Sequence, residues 1–512
     1  MLLKLTSGLA GPVLMALLGW SVLASVGALR DRSLTLRTAY AFLVGQALLA
    51  IALWSLSLAE WVRLDRAGIL SVAGSLASVA ALFGLLMKRV RRLRGGPPAN
   101  LLSRSSARGG PASVFLVSLA TLIGGGLLLR SATDPVHDFD GRGTWATLAR
   151  FVAAEETVLP RAFTDETIYV SHSHYPLMMP LGQVVSAALS RRSLALFSAA
   201  PLYALFYPVL LVLVFEGGRR LAGRQAATVT TLLASLLPVV ASNPDGGAGG
   251  VYSDLPLACF LGGALLLAIE RRFVATHAAL AGLLFAGALL CKNEGMILVP
   301  VSLAGALLVR QRPLHHLAAR FALGALPVAA AAGLLLAWRA RIPGRFNENY
   351  LERLSLGNLL ARLPQNLAGP AKEAVGMLFR FEDWGFFWSI VIASILLGLP
   401  QLRRRAPRPL LIAASSPLLI AATAYSVNPD LGLVRVTWNR LLIQVLVPIL
   451  FLSATVTRGT LRRLRAWGSF ERLARARNNL AEWAPASSPS SLRMTLRAAL
   501  LLGVLTDRKS VV

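Results

Sequence analysis

Residues 38–57 read TAYAFLVGQALLAIALWSLS, twenty consecutive residues without a charge. A helix rises about 1.5 Å per residue, so such a run crosses the ~30 Å hydrocarbon core of a bilayer. Comparable apolar runs recur near 8–29, 68–87, 113–129, 198–215, 226–241, 255–269, 277–291, 295–310, 319–338, 384–400, 409–426 and 438–456. The expectation is an all-α polytopic integral membrane protein of about thirteen transmembrane helices. Composition agrees: 55% of the residues are hydrophobic and 15% charged, outside the range of soluble domains. The first run is followed by further spans and lacks a small-residue cleavage site, so it is read as a retained helix.

The formal charge is +28, but its placement argues against nucleic acid. Arg and Lys concentrate in short connections: Arg30/Arg32/Arg37, Lys88 to Arg94, Arg219/Arg220/Arg224, Arg271/Arg272 and Arg403 to Arg408. With thirteen spans these all fall on one side, which the positive-inside rule makes cytoplasmic. Of the 24 acids, 18 fall on the other side, so the basicity reports topology and contact with anionic membrane lipids. Cys259 and Cys291 lie in apolar runs without ligand spacing and read as small buried hydrophobes. No P-loop, GxGxxG or HExxH pattern is present, so nucleotide-driven chemistry has no support.

Four regions follow. Residues 1–95 form an N-terminal three-helix membrane unit, and 96–112 (GPPANLLSRSSARGGPA within it) a flexible cytoplasmic linker. Residues 113–456 form the main body, and 457–512 a basic cytoplasmic tail whose last residues, Asp507 to Val512, bear no relation to what precedes them. The body's first outer loop, 130–197, is long and polar and should hold short interfacial helices near 144–154 and 177–189. Long loops between membrane helices are usually functional.

That loop carries Asp138-Phe139-Asp140, whose paired acids suit either a divalent cation or a general base, or else simply a solvated acidic turn. His172-Ser173-His174-Tyr175-Pro176 follows, with loop-structural and site roles both open for the histidines. Downstream, Asp254 in Tyr252-Ser253-Asp254 reads as a helix N-cap or as a site acid. Lys292 and Glu294, between two apolar runs, pair with each other or mark a site, because charge in a membrane is expensive. Arg440 stands at the outer entrance of the last span, where snorkelling and phosphate binding are the two readings. The cluster Phe379 to Trp388 reads as an interfacial aromatic belt.

The ordered set resembles the polytopic glycosyltransferases of the GT-C fold that use lipid-linked sugars. The likeness is to the bacterial branch related to protein mannosyltransferases and aminoarabinose transferases. It rests on the Asp140-to-Trp145 spacing, the H-x-x-Y-P turn at 172–176, Asp254 entering a helix, the K-N-E-G turn at 292–295 and Trp438-Asn439-Arg440. It departs at Leu148, where many relatives carry a basic residue, and at His174, where many have Asp. The resemblance implies a large outer loop carrying the catalytic acid/base, placed on Asp140 with Asp138 as its competitor. It implies inverting transfer from a polyprenyl-phosphate sugar donor to a glycan, lipid or protein acceptor, outside the bacterial inner membrane. Lys292 and Arg440 then steady the phosphate, with Asp254, Glu294, His172, His174 and Tyr175 around the substrate. No cofactor is required, and a divalent cation (Mg or Mn) bridged by Asp138, Asp140 and Asp254 is compatible. The rival reading is a polytopic transporter or flippase, which would line a pathway through the bilayer with polar residues.

Overall fold

The computed structural model describes residues 2–29, 32–93, 111–133, 136, 138, 140–190, 200–242, 246–270, 274–308, 314–343, 357, 361–362, 366–397, 410–415 and 431–466. Among these residues the ordered elements are all helical. The first three are α1 (Leu2–Val26), α2 (Leu34–Leu58) and α3 (Arg66–Leu93). Ser33 starts α2, its Oγ accepting from Leu36 N at 3.3 Å. On α1 and α2, Gly19 and Gly45 let the backbones touch: a Cβ at Gly45 would run into the Met15 carbonyl, and one at Gly19 into that of Ala41. Small residues at such a crossing are what hold apolar helices together where solvent exclusion cannot.

The outer segment begins after α4 (Pro111–Thr133) with a π-turn over Gly141–Trp145, then α5 (Ala146–Glu155), α6 (Arg161–Thr164) and α7 (Met178–Ser190). Helix α7 is no interfacial element: Met178 to Ala187 are buried, and it packs on α1, α5 and α2. Next come α8 (Ala200–Ala204), α9 (Phe206–Ala222), α10 (Arg224–Ser235), α11 (Pro238–Ala241), α12 (Asp254–Ala268) and α13 (Ala275–Cys291). The remainder is α14 (Gly295–Leu308), α15 (Leu314–Arg339), α16 (Ala368–Leu378), α17 (Phe381–Trp384), α18 (Phe387–Leu397), α19 (Leu431–Gln444) and α20 (Leu446–Ala466).

Thirteen full-length spans do not emerge. Among the described residues five helices are long and apolar enough to cross a membrane, or six if α19 and α20, bent by 58° at their junction, count as one. The protein is thus a helical membrane protein in which several apolar runs become shorter helices. The run 226–241 breaks ahead of Pro238, leaving α10 and α11. Helices α7, α12, α13, α14 and α18 are apolar but shorter than a usual span, and most of 409–426 lies outside the described residues. Burial explains α12 and α13: every residue of α12 and 12 of the 17 in α13 are buried, so apolar character here serves the core.

Nor do residues 1–95 stand apart. One continuous core joins Met15 of α1 to Val456 of α20. Tyr40 of α2 donates to the Gly263 carbonyl of α12 at 2.9 Å, and Trp54 meets Trp338 of α15 edge to face at 5.3 Å. The end of α2 is stitched to the outer loop: Ser57 Oγ takes Val158 N at 3.2 Å, and Leu64 N reaches the Glu156 carbonyl at 2.7 Å. Residues 96–110 and 467–512, most of the expected linker and tail, lie outside the described residues.

Candidate functional site

Asp254, fully buried at the first turn of α12, is the centre of the site. Its carboxylate does not cap the helix, since the cap position is Ser253 and makes no side-chain cap bond. Instead Oδ1 takes Lys292 Nζ at 2.8 Å and Gln444 Nε2 at 2.5 Å, and Oδ2 takes Arg440 Nε at 3.3 Å. The capping reading fails because three donors outcompete the backbone for the carboxylate. Three elements converge on it. Lys292 follows the last residue of α13 in extended backbone, while Arg440 and Gln444 are four apart on α19 and so share a face.

Each cation bridges two acids. Lys292 also meets Glu294 at 3.0 Å. Arg440 Nη1 meets Asp140 Oδ2 at 2.6 Å, and its guanidinium lies 4.5 Å over the Tyr252 ring. The acids at the two ends of Arg440 differ: the Asp254 side chain is 0% exposed and that of Asp140 26%. Gly246, at φ +102°, permits this approach; a Cβ there would lie 3.0 Å from Arg440 Cγ.

Asp138 and Asp140 sit at the rim of the cluster. Tyr252 Oη accepts from Asp140 N at 3.3 Å, and Asp138 Oδ2 accepts from Val251 N at 3.1 Å. These bonds lock the DxD turn against the glycine-rich loop 246–253. Asp138, buried and folded over Gly141, is spent on the backbone, which leaves Asp140 as the accessible acid. The π-turn that begins at Gly141 matches the frequent placement of such turns at functional sites.

His172, His174 and Tyr175 form a neighbouring cluster. His172 adopts φ +58° and its ring lies 4.6 Å from Tyr175, which in turn lies 5.5 Å from Trp145. His174 Nε2 pairs with the Pro343 carbonyl at 3.2 Å. The carbonyl of His174 takes Arg339 Nε and Nη2 at 3.1 and 2.9 Å, and the same Nη2 reaches Asn293 Oδ1 at 2.5 Å. Arg339 therefore clasps the histidine loop to the turn that carries Lys292 and Glu294. Burial, reinforced by the Arg339 charge and opposed by the Pro343 hydrogen bond, holds the His174 imidazole below its ordinary range.

With Asp138, Asp140, Asp254 and Glu294 against Lys292 and Arg440, the cluster's formal charge is −2. Ser253 Oγ, Glu294 Oε2 and Gln444 Oε1 are closed from solvent without a hydrogen-bond partner among the described residues. A cation bridging Asp138, Asp140 and Asp254 does not fit: Arg440 already holds Asp140 and Asp254 together. Among the described residues no three His, Cys, Asp or Glu side chains gather as they would around a metal.

Sequence reading placed Asp140, Asp254, Lys292, Glu294 and Arg440 in one neighbourhood but missed Gln444 and Arg339. Gln444 had a legible signal, a polar residue four past Arg440 in an apolar run. The aromatic belt is only half a belt. Trp384, Phe387 and Trp388 are buried, with Trp384 Nε1 donating to Asn439 Oδ1 at 2.9 Å, while Phe379, Phe381 and Phe386 are exposed. Asn439 in turn donates to Asp383 at 2.9 Å, which ties α17 to the residue beside Arg440.

No family model matches this chain, and no curated protein or solved structure is found to be similar to it.

Proposed function

We propose that the protein is an inverting membrane glycosyltransferase that moves a sugar from a polyprenyl phosphate to an envelope acceptor. The acceptor is a glycan, lipid or protein at the outer face of a bacterial inner membrane. The observation that carries this reading is the sharing of Arg440 between a fully buried carboxylate, Asp254, and a partly exposed one, Asp140. An incoming phosphate competes for the outer edge of the guanidinium. Asp140 is the partner it displaces, because exposure makes that contact the weaker one.

Donor binding thereby frees the base. Asp140 accepts the acceptor's hydroxyl proton, the acceptor oxygen bonds to the anomeric carbon from the opposite face, and the carbon–phosphate oxygen bond breaks. The departing phosphate keeps that electron pair, steadied by Arg440 and Lys292. Asp254 acts as a positioning residue, since it touches both cations but lies below the surface of the cluster.

The test is release of free polyprenyl phosphate from a panel of polyprenyl-phosphate sugars, followed by mass spectrometry. Membranes containing the wild type are compared with Asp140→Asn at matched expression. The expected result is release that falls at least ~100-fold in the variant, the scale of one lost general base. Equal release by both proteins defeats the assignment. The transporter reading draws on a different observation, the formal −2 charge, which favours cationic cargo over phosphate. Uptake or flipping without donor cleavage would select it.

A further inference from the structure

Lys292 stands in extended backbone (φ −160°, ψ 157°) at the end of α13, so its side chain and that of Asn293 leave on opposite sides. Lys292 Nζ goes to Asp254 Oδ1 at 2.8 Å and Glu294 Oε1 at 3.0 Å, while Asn293 Oδ1 accepts from Arg339 Nη2 at 2.5 Å. The turn that carries them is closed by its own backbone: Gly295 N donates to the Lys292 carbonyl and Met296 N to the Asn293 carbonyl, both at 3.0 Å. A Cβ at Gly295 would run into the Ala288 carbonyl, so the turn folds tightly onto α13. Arg339 reaches this turn from the last turn of α15. That helix end is itself fixed, because the neighbouring Trp338 is buried and donates to the Val158 carbonyl at 2.8 Å. The same guanidinium places Nε and Nη2 on the His174 carbonyl at 3.1 and 2.9 Å.

We infer that Arg339 is a positioning residue for Lys292: acting through Asn293, it sets where the ammonium stands against the departing phosphate. The inference rests on the transferase reading and names what governs one of its two phosphate-steadying cations. The oxygens that Arg339 holds are neutral, so the direction of its bonds matters more than its charge. A planar guanidinium supplies that direction, with N–H groups fixed in a fork, and a lysine ammonium does not. One nitrogen, Nη2, serves both acceptors, so a shift of the histidine loop passes to the Lys292 turn without an intervening side chain. Charge on the leaving oxygen grows as the anomeric bond breaks. A displaced ammonium therefore costs more in the transition state than in the bound donor.

The experiment uses the full chain and has two arms. In the first, cleavage of a polyprenyl-phosphate sugar is followed at varied donor concentration in membranes. Arg339→Lys and Asn293→Ala should each lower kcat by about 10–100-fold with KM little changed, the mark of an interaction made in the transition state. Asn293→Asp keeps an acceptor for Nη2 and should recover most of the lost rate. In the second arm, hydrogen exchange is measured over 170–177 and 291–298 in detergent. Arg339→Gln should quicken both segments, whereas Asn293→Ala, which leaves the His174 bonds in place, should quicken only the second. If Arg339→Gln does not fold, Asn293→Ala carries both arms. Donor cleavage with kcat kept in Arg339→Lys and Asn293→Ala, or with a rise in KM alone, overturns the inference and leaves the transferase reading standing. Unchanged exchange over 291–298 in Asn293→Ala overturns it whatever the kinetics. A wild type that cleaves no donor defeats the transferase reading instead, and the exchange arm alone then upholds or overturns the tether.

Discussion

Replacing Asp254 by Asn tests whether the charge cluster is a built site or an accident of packing. The substitution is nearly isosteric, so it opens no cavity and isolates the charge. Asp254 is fully buried and serves Lys292 and Arg440 at 2.8 and 3.3 Å. Removing one member of a buried ionic group costs about 3–5 kcal/mol, because the remaining charges stay desolvated. Here each cation keeps a second carboxylate, Glu294 or Asp140, so the expected loss lies at the low end, about 3 kcal/mol. At roughly 2–4 °C per kcal/mol for a large domain, Tm should fall by about 6–12 °C in detergent. The double variant Asp254→Asn/Lys292→Met should lose less than the two single losses added, by about 1–3 kcal/mol, since the residues are in contact. A single-variant loss under about 1 kcal/mol, or strict additivity, would refute the argument that these charges depend on one another.

Three further outcomes follow from the same geometry. His174 stays neutral in the native state where an unfolded imidazole already binds a proton, so the unfolded state holds more protons just below about pH 6.5 and stability falls as pH drops through that value. Hydrogen exchange over 165–177, corrected for intrinsic rates, should therefore quicken between about pH 7.5 and 5.5, and His174→Gln should flatten the trend. Gly45→Val should cost at least ~3 kcal/mol, because its side chain must enter the Met15 carbonyl and part α1 from α2; near-native Tm in this variant would contradict the crossing. Gly246→Ala, at φ +102° beside Arg440, should destabilise by about 1–2 kcal/mol and lower donor cleavage more than Gly223→Ala, whose φ is also positive but which lies in open space.

Much of the site was legible because charge is scarce in this sequence. Asp140, Asp254, Lys292 and Arg440 stand out between apolar runs, and burial among apolar helices is what forces them to pair. What stayed hidden depended on distance in space. Gln444 looks like one polar residue in a helix until the packing of α19 against α12 sets its amide on Asp254. Arg339 reads as the end of a span, yet its guanidinium clasps the His174 carbonyl from 165 residues away. Apolar length misled about the spans, since α12 and α13 are hydrophobic to fill an interior and not to face lipid, and composition alone does not distinguish the two.

The stitching of α2 to the outer loop has a consequence for how this chain can be cut or recombined. Val158 and Glu156 are hydrogen-bonded to Ser57 and Leu64, Arg341 reaches the Leu58 carbonyl at 3.0 Å, and Trp338 donates to the Val158 carbonyl at 2.8 Å. Helix α5, which follows Asp140 by one π-turn, ends at Glu155, and the bonds secure its cap residue Glu156 and Val158 just beyond. The opening ninety-odd residues look like a detachable cassette, but they are part of the frame that sets the acid's loop. A shortened protein starting after the basic segment would keep every site residue and lose the brace behind Asp140. Chimeras that exchange the first three helices should work only when the 156–158 corner travels with them.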